Sequence, residues 1–371
     1  MKIIFICGCL EPGRDGVGDY TRRLSAELIK LGHTVGAVSL NDKFISSNIE
    51  NEQHFEGVNL PVLRLASCLT LKARLEKIKG WIQIFRPELI SLQYVPYSYQ
   101  NNGIPLYLAS FLTKLQSGAR WEIMIHEPFL AGYTSLKMKL ITLLQKFSLK
   151  LIKAKLKPVV FHTSIPQYQK LLLQVGIQSK LLGLFGNIHI ETIDKEQDSE
   201  GINLRKMITG LYFGSAPSPT HYSLFTDKIK SFNLESKALL RIIICGKSGS
   251  NGESFVRNIK SACKDLNCEI SVLGELEPKE LSKLFLEADF GISRVPPRYI
   301  GKSGSSISML EHGLPLWLPI LTQGTIEESL DFRPELCFHE LNAILTTVKK
   351  KAPLNRLPVT AATFLKDVQI Q

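Results

Sequence analysis

Short apolar, β-branched runs alternate along this chain with stretches in which leucines recur every three or four residues. Lys2–Cys7 is a run of the first kind. After a Gly-rich loop, Gly13–Gly18, the leucines Leu24, Leu28 and Leu31 mark a helix from Asp19 to Leu31, stopped by Gly32. Thr34–Leu40 is the next strand. Strand, loop, helix, strand in that order is a βαβ unit and implies a parallel sheet. The same pattern predicts strands at Val62–Leu65, Glu88–Tyr94, Trp121–His126 and Val159–Thr163. It predicts helices at Leu71–Phe85, Ile104–Gln116, Lys137–Leu156 and Pro166–Val175. One doubly wound sheet accounts for roughly the first half.

Residues 187–208 break the alternation. Glu191, Asp194, Glu196, Asp198 and Glu200 leave little to bury, as a linker would. A second α/β set follows: strands at Leu211–Gly214, Arg241–Gly246, Glu269–Gly274 and around Phe290, with helices at Pro278–Leu286 and after Ser303. The expected organisation is α/β, with two Rossmann-like domains facing each other across a cleft. The first covers 1–190, a linker 191–208, and the second 209–351, while a closing helix within 352–371 packs back on the first. No internal repeat or low-complexity tract interrupts this.

Composition narrows the picture. A chain of 371 residues, 44% apolar, can build two well-formed cores. The seven cysteines form no CxxC pair and have no His at zinc spacing, and Cys7 and Cys245 sit in apolar runs; buried free thiols in a reducing, cytoplasmic setting are expected. The start, MKIIFICGCL, reads as a buried strand rather than a signal peptide, and no run approaches the roughly 20 apolar residues that span a bilayer. The net charge of +11 points to a polyanionic partner: nucleic acid, an anionic membrane or a phosphorylated substrate.

The sharpest candidate for such chemistry is Gly301–Pro315, Gly-Lys-Ser-Gly-Ser-Ser-Ile-Ser-Met-Leu-Glu-His-Gly-Leu-Pro. It follows an apolar segment, Ala288–Ser293, and a Pro-rich turn, Val295–Arg298. Ser303, Ser305 and Ser306 are good N-cap residues, and a helix N-terminus favours an anion through its unpaired N–H groups and dipole. Arg294, Arg298 and Lys302 add charge, so a diphosphate held by these three with the N–H groups at Ser303, Gly304 and Ser305 is one reading. An ordinary capped helix with solvated basic neighbours is the other.

Taken together, the chain resembles the GT-B glycosyltransferases, in particular the large retaining group loosely called family four. Asp15-Gly-Val-Gly-Asp-Tyr-Thr with Leu24, Leu28 and Gly32-His33-Thr-Val35 is similar to that family's first loop and helix, where the Gly-rich turn lies under the sugar. Glu88–Tyr97 and Ile125-His126-Glu127-Pro128 resemble its strands that end at the active site. Leu211–Ser215, Ile242–Gly246, and Leu273-Gly274 through Ala288-Asp289 to Gly313-Leu-Pro315 resemble its donor domain. The resemblance implies a sugar donor carried by a nucleoside diphosphate, a saccharide or lipid-linked acceptor, and no metal or other cofactor. It implies contacts to the donor from Gly16, Gly18, Gly214, Ser215 and Gly246, and a sugar contact at the catalytic centre from His126. Beside these, Asp15 is a candidate to orient a sugar hydroxyl, Glu127 is either a catalytic base in an inverting course or a solvated side chain, and Lys247 is either a phosphate or nucleoside contact or a surface-turn lysine. Asp15 and Asp19 are also candidates for helix capping, with Asp19 the preferred cap.

The chain departs from that family at two places. The family's paired glutamates, eight positions apart, fall on Ile300 and Ser308, counted back from Gly313. Its Arg/Lys pair after the first donor-domain strand is replaced by Ser215–His221, which carries no such charge. A GT-B-fold protein that binds sugar or nucleotide without turnover, or an epimerase or hydrolase, therefore stands beside the transferase. Lastly, Lys139, Lys146, Lys150, Lys153 and Lys157 fall on one helical stripe beside an apolar face of Leu136, Leu140, Leu143, Leu144, Phe147, Leu151 and Ala154. No Asp or Glu occurs between Pro128 and Lys170. This basic amphipathic helix is expected to touch an anionic membrane peripherally, on its inner face, rather than nucleic acid, because no aromatics interleave the lysines.

Overall fold

The computed structural model describes residues 1–115, 118–132, 135–191, 207–216, 222–235, 239–246, 249, 251–320, 330–347 and 350–369. The chain divides into two compact units, Met1–Gly183 with Leu357–Gln371, and Leu184–Arg356. Most of the acidic stretch expected as a linker lies outside the described residues.

The first unit runs β1 (Lys2–Cys7), α1 (Gly16–Lys30), β2 (Thr34–Asp42), β3 (Ile49–Phe55), β4 (Val58–Ala66), α2 (Leu71–Phe85), β5 (Leu89–Tyr94), α3 (Pro96–Tyr99), α4 (Leu108–Thr113), β6 (Arg120–Ile125), α5 (Leu136–Leu156), β7 (Val160–Thr163), α6 (Pro166–Leu173) and β8 (Lys180–Leu181). Its eight strands lie in the order β3-β4-β2-β1-β5-β6-β7-β8, and all pairs are parallel except the β3–β4 hairpin. Ile3, Ile4, Phe5, Ile6 and Cys7 of the central strand are wholly buried. At about 1.5–3 kcal/mol for each large apolar side chain, such a strand anchors the sheet. The hairpin turns on Glu56-Gly57, both at positive φ, as a two-residue connection requires. Its outer strand, Ile-Glu-Asn-Glu-Gln-His-Phe, is polar and largely exposed, so no apolar pattern announces it. The helix expected over Ile104–Gln116 contracts to Leu108–Thr113, because Pro105 disfavours helical backbone at Ile104.

The second unit runs β9 (Met207–Phe213), α7 (Tyr222–Glu235), β10 (Leu239–Cys245), α8 (Gly252–Ala262), β11 (Cys268–Gly274), α9 (Pro278–Glu287), β12 (Phe290–Ile292), α10 (Gly304–Glu311), β13 (Leu316–Trp317), β14 (Cys337–Phe338) and α11 (Leu341–Thr347). Its parallel sheet has the order β11-β10-β9-β12-β13-β14. Tyr212, Phe225, Phe255, Phe290 and Trp317 form an aromatic core on it. Leu184–Ile190 belongs to this unit: the N–H groups of Gly186 and Asn187 donate to Glu311 Oε2 (3.0 Å) and Ser308 Oγ (2.9 Å) of α10.

The last helix, α12 (Leu357–Gln369), belongs to the first unit. Phe364 packs 5.8 Å from Phe5, Thr360 donates to the Gly183 carbonyl, and Arg120 donates to that of Val368. Cys7, Cys9, Cys245, Cys263 and Cys337 are buried free thiols. Among the described residues, no helix is long and apolar enough to cross a membrane.

Candidate functional site

In each sheet the strand order reverses beside the first strand, at β1/β5 and at β9/β12. Open parallel sheets hold ligands beyond the carboxyl ends of strands at such points, because the loops there diverge.

In the second unit the β9/β12 reversal brings Gly214, Arg294 and Ser305 together. A Cβ placed on Gly214 would stand 3.7 Å from Arg294 Nε and 3.8 Å from Ser305 Oγ. Gly214 itself has φ of +117°, a backbone that side chains rarely tolerate. Gly246, at the end of β10, packs against it, and Ser215 accepts the Tyr212 hydroxyl on its carbonyl at 2.8 Å. Ser303 caps α10: its Oγ accepts from the Ser306 N–H and lies 3.2 Å from Ser305 Oγ. The N–H groups of Gly304 and Ser305 come before any intrahelical acceptor and sit at the positive end of the helix. Arg298 and Lys302 lie instead over the ring of Tyr299, at 5.0 and 5.5 Å. Arg294 is the basic residue whose side chain stands nearest Gly214. Lys247 lies outside the described residues.

The positions of the two departures have structural occupants. Ile300 is fully buried. Ser308 is equally buried and accepts the Asn187 N–H. The buried carboxylate of α10 is Glu311, whose two oxygens accept from the backbone of Gly186 and of Arg356 (2.9 Å). It joins the entering and leaving segments of the second unit.

In the first unit the cap of α1 falls on the other aspartate from the one preferred. Asp15, not Asp19, caps α1, accepting from the N–H groups of Val17 (2.8 Å) and Gly18 (3.3 Å). Burial raises its pKa above the usual carboxylate value, partly offset by those two N–H groups. Asp19, one turn on, pairs with Arg22 and accepts the Gly13 N–H. Gly16 is exposed in the first turn. Gly18 is closed in: a Cβ there would lie 2.4 Å from the Cys9 carbonyl oxygen. Its glycine serves the close approach of helix to loop, whatever else the loop does.

His126, at the end of β6, is only 8% exposed and edges onto Tyr20 at 4.9 Å. Burial pushes its pKa down to about 3, so the ring is neutral at physiological pH. Its Nε2 meets Gln93 Oε1 at 2.8 Å, and Gln93 Nε2 donates to Ser91 Oγ at 2.6 Å. An amide oxygen can only accept, so Nε2 carries the proton and Nδ1 keeps its lone pair. Ser91 then donates to Glu122 Oε2, whose other oxygen accepts from His162 Nδ1 at 2.8 Å. His162 Nε2 donates to Asp367 Oδ2 at 3.1 Å, and Lys180 Nζ donates to Asp367 Oδ1 at 2.6 Å. The chain of side chains thus runs from His126 across β5, β6 and β7 to α12.

Both ring nitrogens of His162 face carboxylate oxygens, an arrangement that favours the imidazolium. Burial opposes that charge, but the Glu122 hydrogen bond and charge, then those of Asp367, hold its pKa above the usual value. Pattern reading missed Ser91, Gln93, Glu122, His162 and Asp367 as a group. The available signal was a polar residue inside each of three apolar strands. Glu127, the residue after His126, is exposed.

No family model matches the sequence, and no curated protein matches it. Solved structures do. Sucrose-phosphate synthase from Thermosynechococcus elongatus is 16% identical over 86% of this chain and 81% of that one, with a TM-score of 0.56. HepE from Anabaena, solved with UDP and glucose, is 13% identical over 100% and 97%, at 0.54. The UDP-GlcNAc 2-epimerase from Methanocaldococcus jannaschii is 10% identical over 99% of both chains, at 0.55. The chain has the GT-B fold. Transferases and an epimerase share this architecture, so the chemistry must be argued from the side chains.

Proposed function

We propose that this protein transfers a sugar from a nucleoside-diphosphate donor to a saccharide or lipid-linked acceptor, without a metal. The observation that carries the reading is the convergence of Gly214, Arg294 and Ser305 on the first turn of α10. A diphosphate there would take the Gly304 and Ser305 N–H groups and the Arg294 guanidinium, which together stabilise charge as the leaving group departs. UDP is the first nucleotide to try, since HepE was solved with it. His126 is a poor general base, because its proton affinity is so low. A hydrogen bond from a sugar hydroxyl to Nδ1 suits it better, and that favours a retaining course assisted by the departing phosphate over an inverting one. Glu127, exposed at the same strand end, is the carboxylate to remove in testing for inversion. We place the reaction in the cytoplasmic synthesis of a glycan, polysaccharide or glycolipid.

Arg294→Ala should weaken UDP binding by roughly ten- to a hundredfold in calorimetry, about 1.5–3 kcal/mol for one charge-assisted contact. Unchanged affinity would remove Arg294 from the donor site. A second reading, epimerase or hydrolase, draws on the epimerase among the similar structures and on Ile300 and Ser308 standing where paired glutamates would be. Donor consumed only with an acceptor identifies the transferase; donor consumed alone identifies the second reading. Binding without turnover identifies a non-catalytic protein.

A further inference from the structure

The helix α5 presents leucines to solvent. Leu136 is 84% exposed, Leu140 57%, Leu143 62% and Phe147 50%. The side chains it buries are Gln145, Ser148, Leu149, Ile152 and Leu156. At 3.6 residues per turn, the row Leu136-Leu140-Leu143-Phe147-Ala154 lies about opposite that buried row. The apolar row is therefore not the face that packs on the unit. Lysines flank it on both sides. Lys139, Lys150 and Lys157 are exposed along one margin, and Lys137 and Lys155 along the other.

Lys155 of the second margin donates to Ser110 Oγ at 2.7 Å, and two further lysines are also held by the protein itself. Lys146 Nζ stands 4.8 Å over the Phe129 ring, and Lys153 donates to the Gly176 carbonyl. A hollow of about 490 Å³ opens at this place, lined by Phe129, Leu130, Lys139, Thr142, Leu143 and Lys146. It shares Lys139, Leu143 and Lys146 with the helix, so two cations border a recess beside the apolar row. Among these elements the sequence places no acid: none occurs between Pro128 and Lys170.

We infer that this face of α5 docks on an anionic lipid surface, with Leu136, Leu140, Leu143 and Phe147 entering the headgroup–acyl boundary and the lysines meeting lipid phosphates. An apolar row centred between two lysine margins suits a helix lying in the plane of the interface. A protein partner would need to match the apolar row and also supply acids along both margins; an anionic bilayer offers both everywhere. Binding would be reversible and salt-sensitive, because its cationic part is screened.

The test is co-sedimentation of the full chain with phosphatidylcholine vesicles, with and without phosphatidylglycerol. It needs no sugar donor, so its outcome is separate from that of the transferase reading. Wild type should bind the anionic vesicles and be weakened by salt. Replacing Lys139, Lys150 and Lys157 together by Gln should lower partitioning on the order of a hundredfold. Leu140→Gln with Phe147→Gln should lower it at least about tenfold. These sites are exposed, so folding should survive, as circular dichroism would check. Equal binding to neutral and anionic vesicles, no binding to either, or leucine variants that bind like wild type would each overturn the inference. So would a concentration-dependent dimer, by light scattering, that Leu143→Glu dissociates, because the face would then belong to a second copy.

Discussion

Replacing His162 by Gln tests the buried chain of charges most directly. Glu122 and His162 are wholly buried as side chains, and Asp367 is 11% exposed. Removing the cation leaves the Glu122 carboxylate in the sheet interior without its partner, a loss of about 3–5 kcal/mol. At about 1.36 kcal/mol per decade, local opening of β7 and α12 should become roughly a hundred- to several-thousandfold more frequent. Hydrogen exchange in peptides covering 158–165 and 357–369 reads this without requiring the whole chain to unfold.

The pH dependence adds a second check. The folded pKa of His162 is raised, so its contribution is full below the unfolded value near 6.5 and is lost as pH rises through the folded value. Asp367 is the opposite case. Burial raises its pKa, but Lys180 and then His162 outweigh that and hold it low, so its contribution is lost only in acid, below its unfolded value near 3.9. The gap between wild type and variant should therefore open as pH falls from alkaline values, and be complete by about pH 6.5. His126, neutral down to about pH 3, costs both proteins stability below about 6.5, where the unfolded ring takes a proton. Protection that is the same in both proteins, or a gap that widens with rising pH, would refute the imidazolium.

Two other substitutions separate structure from chemistry. Asp15→Ala should cost about 1 kcal/mol in thermal denaturation by removing the cap of α1, with kcat unchanged; a large fall in kcat at small cost in stability would restore a catalytic role. Glu311→Gln weakens two hydrogen bonds to a buried carboxylate and should destabilise the second unit by about 2–4 kcal/mol. Limited proteolysis within 184–191 and 350–356 should accelerate, and an unchanged digestion pattern would mean the carboxylate does not join those segments.

Much of the architecture was legible because a parallel sheet buried on both faces writes itself as continuous apolar runs, as in Lys2–Cys7 and Leu239–Cys245. The β3 edge strand was not legible, since it buries one face at most and pairs on one side only. The capping residue of α1 was misassigned, because Asp15 and Asp19 are both acceptable by composition; the choice depended on where the loop from Cys9 presses against Gly18. The serines and basic residues ahead of α10 were visible as a group. That Arg294 stands nearest Gly214, with Arg298 and Lys302 over Tyr299, was not.

By itself, then, the sequence determined the alternation of strands and helices, because burial imposes a period that each segment must obey locally. It also determined the basic, acid-free character of α5. Tertiary structure alone decided which face of α5 is buried, since leucine rows on both sides satisfy a helical period equally well. It decided, too, that Gln93, Glu122, His162 and Asp367 meet. They lie far apart along the chain, and only strand order and the return of α12 bring their hydrogen bonds within reach.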